Sequence, residues 1–158
     1  MRSRLLVSCV IWGLLAAAVV AETPSESPSD AVAAMIELAE KGDMDVLART
    51  RTASVVMDKQ GAPPDKQAAF REQRTRFMAL HKDRLLEALR VVKRKIDDET
   101  DHAVKDLMVN ATTINFRVDR PPYNGIMLRR ENDRWKFAPW TETKIDKDGR
   151  EQYVWDER

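Results

Sequence analysis

The side chains that could do chemistry in this chain are few and far apart. Among 158 residues only His81 and His102 are histidines, and Cys9 is the single cysteine. A zinc site needs three or four ligands at short, fixed spacings, and no His-x-x-x-His or Cys pair supplies them. His81 sits among Lys82, Asp83 and Arg84, the company of an exposed helix residue. His102 follows Asp97-Asp98-Glu99-Thr100-Asp101, whose carboxylates favour a protonated imidazole; the alternative is a plain solvated turn residue. Acid–base work of the isomerase type needs a tyrosine and a carboxylate facing one pocket. The tyrosines are Tyr123, after Pro121-Pro122, and Tyr153 near the end. Tyr123 and His102 are therefore the pocket candidates, and no catalytic residue, metal ligand or cofactor is assigned.

Other motifs reduce to structure. No Gly-x-Ser-x-Gly is present, and five glycines are too few for a phosphate-cradling loop. Asp146-Lys147-Asp148-Gly149 looks like part of a calcium loop, but aligning Gly149 with the invariant glycine puts Lys144 where the first carboxylate belongs. It reads as a hairpin turn. Asn110-Ala111-Thr112 fits a glycosylation sequon, which matters only in a eukaryotic secretory pathway. Between Arg71 and Lys95 nine Lys/Arg face three acids, a local excess of +6. The acidic run 97–101 follows directly and the whole chain carries only +1, so a solvated helix face fits better than a nucleic-acid surface.

The N-terminus reads as an export leader. Arg2 and Arg4 precede the seventeen-residue uncharged run 5–21, which ends Val19-Val20-Ala21 before Glu22. The run is shorter than the ~20 residues a membrane-spanning helix needs. Leu6-Val7-Ser8-Cys9 resembles a lipidation box, but its apolar segment lies after the cysteine rather than before it. Cleavage after Ala21 removes two arginines and Cys9, leaving a formal charge of −1 and no thiol or disulfide. The membrane then enters only through the leader, and the protein is periplasmic or secreted.

Residues 22–28, Glu-Thr-Pro-Ser-Glu-Ser-Pro, form a polar tether with nothing to pack, ahead of a single domain over 29–158. Ser27 as N-cap, Pro28 at the first helical position and Asp30 start a helix carrying Val32, Met35, Ile36 and Ala39 on one stripe. Gly42 closes it, and Asp43 caps a short turn with Met44, Val46 and Leu47. A connector with Gly61 and Pro63-Pro64 leads to a second long helix from Asp65, ending near Leu89; residues 89–96 fit either its continuation or a first strand. Beyond it, Ile114, Phe116 and Val118 alternate with polar residues, the period of a half-buried strand. Residues 119–125 turn the chain through Pro121-Pro122 and Asn124-Gly125 into strands over 126–130 and 134–137, with a last strand at Tyr153 and Trp155.

Two segments carry a resemblance: Ala34-Met35-Ile36-Glu37-Leu38-Ala39-Glu40-Lys41-Gly42-Asp43 and Leu128-Arg129-Arg130-Glu131-Asn132-Asp133-Arg134-Trp135-Lys136-Phe137. Helix, Gly-Asp, second helix, then strands ending in a Trp-Lys-aromatic pattern resembles the nuclear-transport-factor-2-like (cystatin-like) superfamily, especially its small exported members. The resemblance implies a curved sheet wrapped around helices as a cone open at one end. Enzymes, binding modules and dimerisation platforms share that fold, so it selects no function.

The fold class expected is thus α+β, two or three N-terminal helices packed on a curved antiparallel sheet. The function expected is a non-catalytic exported binding or interaction module. An isomerase or dehydratase in the same fold is the alternative, and an inhibitor or immunity-type protein a third class. If Ile114, Phe116, Val118, Ile126, Leu128, Trp135 and Phe137 share the helix-facing side, then Thr113, Asn115, Arg117, Met127, Arg129, Arg134 and Lys136 face outward. That face carries Arg117, Arg129, Arg134 and Lys136 and no carboxylate, unless Glu142 or Glu151 answers them. It suits an acidic protein partner, or the acidic run 97–101 of a second copy in a homodimer; a small molecule is the other candidate ligand. N-terminal sequencing of the exported protein should find Glu22 first. Finding Met1, or a lipidated Cys9, would contradict the leader.

Overall fold

The computed structural model describes residues 26–51 and 64–154. The leader, residues 22–25 of the tether, the connector over 52–63 and the end with Trp155 lie outside the described residues, as do the side chains of Phe70, Glu151 and Tyr153. The order is α1 (Pro28–Lys41), α2 (Met44–Arg49), α3 (Pro64–Leu80), α4 (Lys82–Asp97), α5 (His102–Asn110), then β1 (Thr113–Arg120), β2 (Tyr123–Glu131), β3 (Arg134–Trp140), β4 (Glu142–Ile145) and β5 (Glu151–Val154). Helices followed by an open antiparallel sheet β1-β2-β3 and a separate β4-β5 hairpin make the class α+β.

Local chemistry sets the helix ends. Ser27 Oγ accepts from the Asp30 N–H at 3.1 Å, and Gly42 takes φ +79°, its N–H turned back to Ala39 and Leu38. Asp43 precedes α2, but its backbone carbonyl, not its carboxylate, receives the Leu47 N–H at 2.9 Å. The expected long helix is two. It breaks at His81, whose half-buried ring lies 4.5 Å from that of Phe77, so His81 is not an exposed mid-helix residue. It also runs on past Leu89 to Asp97, because Leu85, Ala88, Leu89, Val92 and Ile96 form one buried stripe that an early end would waste. α4 lies between α1 on one side and β1 and β2 on the other. Four cations of this segment are answered by acids: Arg76 by Glu72, Arg84 by Glu87, Arg90 by Glu40 and Lys93 by Asp97. α5 was not expected at all; Asp101 caps it, its Oδ1 accepting from the Ala103 N–H at 2.8 Å.

The sheet follows the period-two reading. Ile114, Leu128 and Phe137 lie abreast, as do Phe116 and Ile126, and with Val118 and Trp135 they face the helices. All are buried except Ile114, which is half-buried. The turn before β2 is shorter than expected. Only Pro121 and Pro122 form it, while Asn124 and Gly125 belong to the strand. Gly125 sits in β2 because the Trp140 ring lies against it: a Cβ there would come within 1.9 Å of Trp140 Cζ2. In the last turn Asp146 Oδ1 accepts from the N–H groups of Asp148 and Arg150, with Gly149 at φ +76°.

The β3 edge is closed. Trp135 N–H donates to the Glu26 carboxylate at 3.3 Å, Phe137 N–H to the Thr50 carbonyl at 3.1 Å, and Pro139 has no N–H to offer. Trp135 Nε1 also donates to the Glu26 carbonyl at 3.0 Å. Glu26, Ser27 and Pro28 are therefore packed parts of the domain, not tether. Trp135→Ala should cost ~3–5 kcal/mol, and Gly125→Ala about 1–3 kcal/mol by driving the Trp140 ring out of place. A parent-like melting temperature in either variant would contradict the packing described.

Candidate functional site

Where α1 begins, α4 ends and α5 passes over them, the surface opens into a groove of about 330 Å³. Its walls are mainly apolar: Pro28 from the first turn of α1, Ile96 from the last turn of α4, Met108 and Val109 from α5. Each reaches the groove for a local reason. The Ser27 cap fixes where α1 starts, the continued stripe of α4 brings Ile96 to its end, and the Asp101 cap sets the start of α5. α5 buries none of its residues, and Leu107 and Val109 stand 69% and 50% exposed. α5 thus leaves apolar side chains at the surface.

The polar groups at the rim are unequal. Ser29 Oγ donates to Asp97 Oδ1 at 2.6 Å, and Lys93 pairs with the other Asp97 oxygen. The Lys93 hydrogen bond, then that from Ser29, holds the Asp97 carboxyl below its usual range. Lys105 makes no ion pair among the described residues and so brings an uncompensated cation to an apolar groove.

The residues singled out from sequence are not brought together. Tyr123 is fully buried at the start of β2, its ring edge-on to Phe77 at 6.1 Å. His102 is exposed as the first residue of α5. Neither of these pocket candidates lines the groove. On the sheet face away from the helices, Thr113, Arg129 and Lys136 lie abreast, then Asn115, Met127 and Ala138, then Arg117, Gly125 and Trp140, but Ala138 and Trp140 are fully buried there. This face does carry a carboxylate. Glu131 stands opposite Arg134 on that face, and its Oε2 is 3.6 Å from Lys136 Nζ. Glu142, offered as the answering acid, pairs instead with Lys144. The acidic run 97–101 is partly engaged within the chain, Asp97 by Lys93 and Ser29 and Asp101 as the α5 cap. Among the described residues no cluster of His, Cys, Asp and Glu could hold a metal. Sequence reasoning missed the groove because it missed α5, although Val104, Leu107 and Met108 at i, i+3 and i+4 behind a capping Asp101 carry a helix signal.

No known family, curated protein or solved structure matches this chain. The site is therefore judged on its own chemistry.

Because the ionised form of Asp97 is favoured by folding, its latch adds stability above the ordinary carboxylate range and loses it as pH falls through the lowered folded value. In Lys93→Ala, NMR titration should show the Asp97 carboxyl moving up toward the ordinary range. An unmoved titration would contradict the assigned cause.

Proposed function

We propose that this chain is a non-catalytic exported binding module whose groove takes a small anionic amphiphile. The observation that carries the reading is the pairing of apolar walls (Pro28, Ile96, Met108, Val109) with a rim cation, Lys105, that has no ion-pair partner among the described residues. Such a site buries an alkyl or ring body and meets its carboxylate, sulfate or phosphate with a charge-assisted hydrogen bond. Its volume suits a ligand of modest size. The setting we propose is a nuclear-transport-factor-2-like domain; helices followed by an antiparallel sheet, in that superfamily's order, support it. Export rests on the basic, then apolar leader ending at Ala21. The burial of Tyr123 and the exposure of His102 support the binding reading over the catalytic alternative.

Decanoate, with decanol as the uncharged control, tests the reading by titration calorimetry. Decanoate should bind saturably, and Lys105→Glu should weaken it about tenfold or more while leaving decanol unchanged. Val109→Asp should weaken both. No saturable binding of decanoate, or binding indifferent to both substitutions, would overturn the assignment.

A further inference from the structure

The two edges of the sheet are treated differently. Trp135 and Phe137 point their N–H groups away from β2, to Glu26 and Thr50. Alternation along an antiparallel ladder then turns Gly125, Met127, Arg129 and Glu131 toward β3, and Ile126, Leu128 and Arg130 toward β1. The Arg130 N–H does donate to the Thr112 carbonyl, at 2.9 Å. It follows that Ile114 and Phe116 bond inward to β2, while Thr113, Asn115 and Arg117 present their backbone groups to the far side of β1. No described residue bonds to the outward backbone groups of Thr113 or Asn115, and both side chains are exposed.

A second oddity lies on the same strand. Ile114 belongs to the apolar stripe under the helices, yet it is the one member left half-buried. It stands on the edge strand, with no described strand beyond it. A strand added there would supply the missing apolar neighbour and the missing backbone partners together.

We propose that β1 pairs antiparallel with β1 of a second copy across a two-fold axis at Asn115, joining two three-stranded sheets into one. The register is self-complementary. Asn115 meets Asn115 of the second copy as a hydrogen-bonded pair, an amide facing an amide. Ile114 meets Phe116 of the second copy on the helix side, extending the buried stripe through the axis. Thr113 meets Arg117 of the second copy on the other side, so no like charges stand opposed. The Asn115 pair alone closes about two interchain backbone bonds at the axis. The pairing stops where β1 stops being regular: the register shifts between Arg117 and Arg120, and Asp119 takes φ +49°. A short edge gives a weak, concentration-dependent dimer, and it is independent of what fills the groove.

Sedimentation equilibrium on the exported protein, purified as the cell makes it, tests this over a concentration series. The parent should shift reversibly from monomer to dimer. Asn115→Pro removes an exposed amide and an outward N–H that no described residue accepts, and should leave a monomer with a parent-like melting temperature. Thr113→Lys sets a cation against Arg117 of the second copy and should weaken the dimer about tenfold, whereas Thr113→Glu should tighten it by a similar factor. These two exposed substitutions decide the matter even if the proline variant misfolds. A chain monomeric at every concentration overturns the proposal, as does a dimer that responds to neither charge at position 113.

Discussion

Trp135 is the residue through which the helical layer is fixed to the sheet. Its backbone N–H and its indole N–H both end on Glu26, the residue just before the Ser27 cap of α1. Two residues along β3, the Phe137 N–H ends on the Thr50 carbonyl, just after α2, and Arg51 bridges Phe137. The α1–α2 pair is therefore held at both ends against one short stretch of one strand. Unsatisfied N–H groups at a buried edge are costly, so this arrangement is enforced by the same rule that forbids leaving them open. Arg130 adds a cation over the Trp135 ring, 5.2 Å from its centre.

The rest of the molecule is placed by that clamp. With α1 fixed, its buried face of Ala31, Val32, Met35 and Ala39 packs mainly on the stripe of α4. α4 must then lie between α1 and the sheet, and Ser29 reaches Asp97 at its far end. The groove is what remains where this packing stops: the start of α1 and the end of α4 lie side by side, and α5 lines the space with Met108 and Val109 without filling it.

Local periodicity made half of this legible. The alternation of Ile114, Phe116 and Val118 showed which side of β1 meets the helices, and Ser27 and Gly42 marked both ends of α1. The break at His81 was hidden because neither glycine nor proline stands there; a tertiary contact with Phe77 accompanies it instead. Gly125 looked like a turn residue because Asn-Gly usually is one, and only the Trp140 ring fifteen residues on explains its place in a strand. Glu26 bonding Trp135 spans 109 positions, beyond the reach of any window. Glu131 reaches the cationic face because β2 runs one residue past the expected end at Arg130. The Tyr123 ring lost its role for a different reason: buried and solvent-facing tyrosines look alike in sequence.

The clamp closes the β3 edge, whereas no described residue bonds to the outward backbone of Thr113 and Asn115 on β1. Backbone hydrogen exchange, read residue by residue in dilute solution, addresses this contrast directly. The amides of Trp135 and Phe137 should exchange only through large-scale opening, while those of Thr113 and Asn115 exchange orders of magnitude faster. Equal protection of all four amides in the dilute protein would contradict the account, because the two edges would then be alike.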